Sequence, residues 1–405
     1  MSSRVIGVGI TGTTLTEMER QILRDTPPYA IVLFGRNVES EAQLRDLVAE
    51  CKSFSSRPPL ILIDEEGGRV DRLRSLIPGM PSAESFLEGE RTRTMVGWFG
   101  GIIGMALRYF DIEVNLAPVV DIQREHPTKG LERRCFGFDA ETVTRLAGEF
   151  VRGQHEAGTA SCLKHFPGIS RGSGDPHYGA TVVDIPLEEL RAEDLRPYME
   201  LGNEAGAVMI GHAIYPQIDE PRLPASLSRR MSTEILRDVV GFRGIAFSDD
   251  MEMHAVSDLG TYEEITDRAL LAGNDVILYC SHIERVPQLM EHMENRAAND
   301  PEFAPRFAEA TRRADDYLAF VDQLRAANPP KVSTFAELED AVGEFTAAFE
   351  KAGGETGRAI SLPKGFSDRR TYPRFREDGT PDDRRDGERT EKKPGSGRSG
   401  REEWT

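Results

Sequence analysis

Gly244-Ile245-Ala246-Phe247-Ser248-Asp249-Asp250 runs through three apolar side chains and then stops on two adjacent carboxylates. A short apolar run with no alternation is what a strand looks like when both its faces are covered, as in a parallel sheet flanked by helices. The same form recurs along the chain at 5–10 (VIGVGI), 30–35 (AIVLFG), 60–64 (LILID), 113–121 (EVNLAPVVD), 160–166 (ASCLKHF), 207–214 (AVMIGHAI) and 275–280 (DVILYC). Amphipathic stretches lie between these runs, among them 40–53, 140–157, 187–205, 229–240, 261–273 and 282–297, with Ser228 and Thr261 placed as N-caps. Eight strands alternating with helices predict an α/β protein with a (β/α)8 TIM-type barrel. An open doubly wound sheet shares the alternation, but the first strand is not followed by the GxGxxG of a dinucleotide site.

The barrel is expected to occupy residues 1–330 and to be followed at 331–365 by a helical extension, with an amphipathic helix over 335–352 (FAELEDAVGEFTAAFEKA). From 366 to 405 both charge signs mix with Gly and Pro, and large apolar residues nearly vanish. Such a segment buries too little surface to offset its ordering entropy, so it is expected to be a disordered tail, with Trp404 its one candidate for a partner contact.

Composition excludes several function classes. The 405 residues carry a formal net charge of -18, which argues against nucleic acid as a partner because phosphate binding needs a basic face. The four cysteines are widely spaced, without CxxC or Cys/His ligand patterns, so no structural metal is expected; Cys162 and Cys280 read as small buried hydrophobes. No run approaches the roughly 18 apolar residues that span a bilayer, and Met1-Ser2-Ser3-Arg4 does not open a secretory signal. The expectation is a cytoplasmic monomer that uses no cofactor and contacts no membrane.

In a barrel of this kind the C-terminal strand ends form the active face. Here those ends are polar: Asp64-Glu65-Glu66-Gly67-Gly68-Arg69 after the third strand, Asp121 after the fourth with Arg133 and Arg134 beyond it, Lys164-His165 at the fifth, His212 at the sixth and Asp249-Asp250 at the seventh. A single carboxylate there is commonly the cap of the next helix, a role that Asp249 and Asp250 fit equally; five polar ends on one face point to a pocket. Carboxylates with Lys, Arg and His and no metal cluster suit a hydroxyl-rich substrate. Glycoside cleavage needs a carboxylate nucleophile and a second group that gives and takes a proton. Asp249 fits the first role and Asp250 is the runner-up. His177 fits the second by its intrinsic pKa, with Asp175 two residues earlier able to orient the ring. His212 reads as pocket architecture, Arg69 as an organiser of its loop, and Glu66 and Asp121 as supports.

These residues resemble the β-N-acetylhexosaminidases of glycoside hydrolase family 3. The likeness covers about residues 5–290 and rests on IVLFGRN (31–37), DEEGGRVDR (64–72), LAPVVDI (116–122), RRCFG (133–137), KHFPG (164–168) and FSDDMEM (247–253). It implies a retaining mechanism through a covalent glycosyl-aspartate, with Asp249 as nucleophile, His177 as proton donor and acceptor, and Asp175 assisting it. It also implies sugar contacts at Asp64, Arg72, Arg134, Lys164 and His165. The implied substrate is a small carbohydrate, a terminal β-linked N-acetylglucosamine, with peptidoglycan fragments (muropeptides) as its source.

The chain departs from the family pattern at 169–174 (Ile-Ser-Arg-Gly-Ser-Gly), where a His-Gly-Asp element is usual, at Pro176 where Ser is usual, and at Glu65 where Gln is common. Beside another β-glycosidase of the same fold, two other readings remain. One is a phosphorylase, since a neutral His does not repel phosphate as an anionic carboxylate would. The other is a sugar-binding protein without turnover.

Overall fold

The computed structural model describes residues 5–87, 93–125, 128–174 and 179–353. The segment 366–405 and Trp404 lie outside them. Eleven strands are present among the described residues: β1 Ile6–Gly9, β2 Ala30–Leu33, β3 Leu60–Ile63, β4 Val114–Asn115, β5 Ala160–Ser161, β6 Leu163–Phe166, β7 Ser173–Gly174, β8 Thr181–Val182, β9 Ala207–Ile210, β10 Ile245–Asp250 and β11 Val276–Tyr279. Strands β7 and β8 form a small antiparallel ribbon; the other nine make one sheet in the order β5-β4-β3-β2-β1-β11-β10-β9-β6, every pair of it parallel. The two edges of that sheet, β5 and β6, are separated by Cys162 alone. They are halves of one run, 160–166, which pairs with β4 through its first half and with β9 through its second. The sheet therefore closes on itself, and the eight runs read from sequence are the eight staves of a barrel.

Alternation along each stave separates two apolar layers. Val32, Leu60, Leu62, Cys162, Phe247 and Leu278 belong to one cluster inside the barrel. Ile31, Leu33, Ile61, Ile63 and Ile277 face the surrounding helices. β1 contributes glycine to the interior, and a Cβ on Gly9 would stand 2.0 Å from the Cys280 carbonyl oxygen. The end of the barrel away from the strand C-termini is plugged by helix Phe303–Ala327, whose Tyr317 and Val321 join the inner cluster and whose Ala314 carbonyl accepts the Tyr29 hydroxyl at 2.9 Å. With one end filled by side chains, only the C-terminal mouth can hold a ligand.

The helices follow the amphipathic pattern, with two informative differences. The stretch 187–205 forms two helices, Leu187–Ala192 and Arg196–Ala205, and the second begins with Pro197 in its first turn. Proline has no N–H to donate and is tolerated there, where no intrahelical partner is required. Helix Arg93–Tyr109 was absent from the sequence reading because four glycines interrupt its periodicity. They serve a close crossing with helix Ala140–Glu156: a Cβ on Gly100 would lie 2.2 Å from the Phe150 carbonyl oxygen. Thr261 caps helix Tyr262–Ala272 in a reciprocal capping box with Glu264, and Ser228 Oγ accepts the Met231 N–H at 3.0 Å at the start of the π-helix Arg230–Val239. Helix Phe335–Lys351 lays Phe345 on Phe99 and Phe349 on Phe86, the latter in the turn Ala83–Leu87. All four cysteines are buried thiols, and no helix of the described residues is long and apolar enough to cross a membrane.

Candidate active site at the barrel mouth

Following the inward positions outward along two staves gives the site. Along β3 they read Leu60, Leu62, Asp64; along β5 and β6 they read Ala160, Cys162, Lys164. Two apolar layers end in one charged layer. Lys164 Nζ reaches Asp64 Oδ1 at 2.6 Å and Glu66 Oε1 at 2.6 Å. Arg134 grips Glu66 with both prongs, Nε to Oε2 at 2.7 Å and Nη2 to Oε1 at 2.7 Å, and donates from Nη1 to the Gly130 carbonyl at 2.9 Å. Two cations thus face two carboxylates, and the buried group carries no net charge, the condition under which ions are tolerated away from water. Burial opposes ionisation of Glu66, but the Arg134 and Lys164 charges outweigh it and hold its carboxyl well below the usual carboxylate range. Burial likewise opposes the Lys164 ammonium, and Asp64 and Glu66 overcome it, so Lys164 is held above its ordinary value.

His165 is fixed by Asp121. The Asp121 carboxylate is buried and can only accept, so Nδ1–H of His165 donates to Oδ2 at 2.9 Å and the His165 backbone N–H adds a bond of 3.2 Å. Asp121 Oδ1 takes the Ile169 N–H at 2.7 Å. One carboxylate thereby sets the tautomer of a mouth histidine and the path of the chain after β6.

The two carboxylates at the β10 end have different surroundings. The pairing of β10 with β11 slips between Phe247 and Asp250, a bulge of the kind that re-aims side chains beside active sites. Asp250 is buried, and its Oδ1 accepts the N–H groups of Glu252 at 3.1 Å and Cys280 at 3.2 Å. It ties the turn after β10 to the end of β11, and the N-cap of the next helix, His254–Ser257, is Met253. Asp249 is half-buried, with Oδ1 accepting the Asp250 N–H at 2.8 Å. Burial pushes the Cys162 thiol inside the barrel upward, and the charges of Lys164, Asp64 and Asp249 all act on it. Along β10, Ile245 and Phe247 belong to the inner cluster, and Asp249 stands at the next alternate position. His212, buried beneath this end, donates from Nε2 to the Asp250 carbonyl at 2.9 Å and pairs through Nδ1 with Ser226 Oγ at 2.8 Å, an architectural brace as its sequence context suggests.

Arg72 stands half-buried at the close of the β3 loop, its guanidinium 6.0 Å from the Phe34 ring centroid at the end of β2. Arg69 pairs with Glu132. Asp175 and His177 lie outside the described residues, as does Pro176.

The segment leading to them is described as far as Gly174, and its supports were not legible in sequence. Thr128 Oγ1 donates to the Ile169 carbonyl at 2.7 Å and the Gly172 carbonyl at 3.0 Å, and the Tyr215 hydroxyl donates to the Gly168 carbonyl at 2.7 Å. Arg171 pairs with Glu193 at 2.6 Å and with Asp194 at 3.0 Å, and Arg124 adds Glu193 at 2.8 Å. No local motif links Arg171 to a carboxylate 23 residues away.

A closed parallel barrel with carboxylates, Lys, Arg and His gathered at its one open end is the arrangement of an enzyme that handles a polar, hydroxyl-rich molecule. Residues 5–313 match the Glycosyl hydrolase family 3 N terminal domain. The chain is 35% identical over 305 residues to the β-hexosaminidase of Idiomarina loihiensis, covering 74% of this chain and 90% of that protein. It is 36% identical over 273 residues to the β-hexosaminidase of Pseudomonas aeruginosa PAO1, covering 67% of this chain and 81% of that protein. Among solved structures it resembles a family 3 β-N-acetylglucosaminidase from Paenibacillus (TM-score 0.74, 28% identity, 85% of this chain and 67% of that one). It also resembles NagZ from Neisseria gonorrhoeae in complex with N-trifluoroacetyl-D-glucosamine (TM-score 0.69, 27% identity, 85% of this chain and 98% of that one). The chain belongs to glycosyl hydrolase family 3 and is a glycoside hydrolase. Its relatives support hydrolysis of β-N-acetylglucosaminides.

Proposed function

We propose that this chain is a retaining β-N-acetylglucosaminidase in which Asp249 is the nucleophile. The observation that supports the reading is the bulged end of β10, where Asp250 takes the N–H groups of Glu252 and Cys280 and half-buried Asp249 follows Ile245 and Phe247 of the inner cluster at the next alternate position. In the first step an Asp249 oxygen attacks the anomeric carbon as the bond to the leaving oxygen breaks. His177, oriented by Asp175, gives its proton to that oxygen. In the second step His177 takes a proton from water, the water oxygen attacks the same carbon, and the glycosyl ester is released. The two inversions return the β configuration. Asp64, Arg72, Arg134, Lys164 and His165 grip the sugar. Muropeptides in the cytoplasm are the proposed source of substrate, the chain acting as a monomer without cofactor.

Turnover of an aryl β-N-acetylglucosaminide by wild type, Asp249→Ala and His177→Ala, with and without phosphate, tests this. Asp249→Ala should lower kcat by about 10³-fold or more. His177→Ala should slow substrates with poor leaving groups far more than activated aryl ones, which need little protonation. Activity that survives Asp249→Ala sinks the mechanism, and a sugar-1-phosphate product replaces hydrolysis by phosphorolysis.

A further inference from the structure

The loop between β3 and the turn Ala83–Leu87 holds a second pair of acids that the proposed chemistry does not use. Glu65 is 1% exposed and the Asp71 side chain 0%. Glu65 Oε2 accepts the N–H groups of Arg72 at 2.7 Å and Leu73 at 3.1 Å. Asp71 Oδ2 accepts the Met80 N–H at 3.0 Å. The remaining oxygens, Glu65 Oε1 and Asp71 Oδ1, are buried and meet no donor, and the N–H that Glu65 takes from Arg72 belongs to the peptide that joins Arg72 to Asp71, which makes the two acids neighbours. Where two buried carboxyls are neighbours one of them is driven to keep its proton, and each of these has an oxygen that lacks a donor.

The surroundings supply little cation to replace it. Arg74 lies 3.9 Å from Asp71 but is 56% exposed, and the Arg72 charge acts on Glu65 only weakly beside burial and the Asp71 charge. From β4 comes neutral Asn115, whose Oδ1 accepts the Glu65 N–H at 2.9 Å and whose Nδ2 donates to the Glu65 carbonyl at 2.8 Å. Burial first, and then the Asp71 charge, raise Glu65 well above the usual carboxylate range, and burial raises Asp71.

We propose that Glu65 and Asp71 share one proton across these two oxygens, and that the shared proton holds the loop whose ends carry Asp64 and Arg72. Glu65 is thus a positioning residue. The proposal rests on the reading of Asp64 and Arg72 as sugar contacts. Because the folded state keeps a proton that the unfolded chain releases near a glutamate's ordinary pKa of about 4.3, the stability it contributes is full below that value and lost as pH rises through the raised folded one. Loosening the loop should weaken substrate binding before it touches chemistry.

Glu65→Gln keeps an oxygen for Arg72 and Leu73 and offers Asp71 an amide N–H that does not titrate; it is also the residue common in the family. Asp71→Asn does the same from the other side. The test follows Tm, KM and kcat from about pH 6 to about pH 9 for wild type and both variants, with an aryl β-N-acetylglucosaminide as probe. Wild type should lose Tm and gain KM with rising pH, by at most about tenfold per pH unit for one proton. Both variants should flatten the two profiles and leave the limbs of kcat in place. Variants whose Tm profiles follow wild type overturn the shared proton. A flattened Tm beside a KM that is the same at every pH in all three proteins overturns the positioning role. A wild type that turns over no aryl glycoside sinks the proposed function instead, and the Tm profiles then decide the shared proton alone.

Discussion

Arginine–carboxylate pairs hold two parts of the barrel mouth, and they do it in opposite environments. In the first, Asp64, Glu66, Arg134 and Lys164 interlock with Lys164 and Glu66 almost wholly buried, the side chains being 2% and 6% exposed. In the second, Arg171 and Arg124 bind Glu189, Glu193 and Asp194 at the root of the segment after β6, where Glu189 and Glu193 are each 45% exposed. Buried charges are expensive singly and tolerable only in balance, so the first group stands or falls as a unit. Exposed pairs are screened and individually weak, so the Glu189 and Glu193 contacts can rearrange at small cost, while Asp194, its side chain 2% exposed, is shared by Arg171 and Arg124 and keeps one cation when the other is withdrawn. The charges are packed as one balanced unit where the proposed sugar contacts stand, and are half-exposed in part at the base of the segment that follows β6.

Removing one member of each group should show the contrast. Lys164→Met leaves Glu66 and Asp64 without their shared cation and should cost about 3–5 kcal/mol of stability, read from urea unfolding, along with substrate binding. A cost below about 1 kcal/mol would mean that the two groups differ only in appearance. A smaller effect separates them by pH. Glu66 is held below the ordinary carboxylate range, so the stability it contributes is present above about pH 4.3 and lost as pH falls through its depressed folded value. Glu66→Gln should therefore be less stable than wild type near neutrality and converge with it in acid, and parallel Tm profiles in acid would refute that account. The smallest effect belongs to the surface group. Arg171→Ala should change unfolding stability by no more than about 1 kcal/mol, with a drop in kcat/KM that wild type partly reproduces in about 1 M salt, where the Debye length is about 3 Å. A salt-insensitive wild type would place the Arg171 pairs outside the working of the site.

Much of this architecture is written locally. The eight apolar runs each became a stave because unbroken apolar character over a few residues is stable only when both faces are covered. The Thr261 cap is legible because its partner Glu264 is three residues away. The misses have equally physical causes. Helix Arg93–Tyr109 is hidden because its glycines answer a neighbouring helix rather than its own propensity. The 187–205 stretch breaks because one proline fits only a first turn. Arg171 with Asp194, and Glu65 with Asp71, depend on side chains that meet only when loops fold over the barrel mouth.

By itself the chain's order of residues determined that parallel staves would end in charge, because burial pattern and strand ends are local properties. It also put Asp249 ahead of Asp250 as the nucleophile, although either could cap the helix that follows. The tertiary structure added a difference between them through a slipped register between β10 and β11, where Asp250 takes the N–H groups of Glu252 and Cys280 and Asp249 follows Ile245 and Phe247 of the inner cluster at the next alternate position. Register is a property of two strands at once, and no single stretch of sequence contains it.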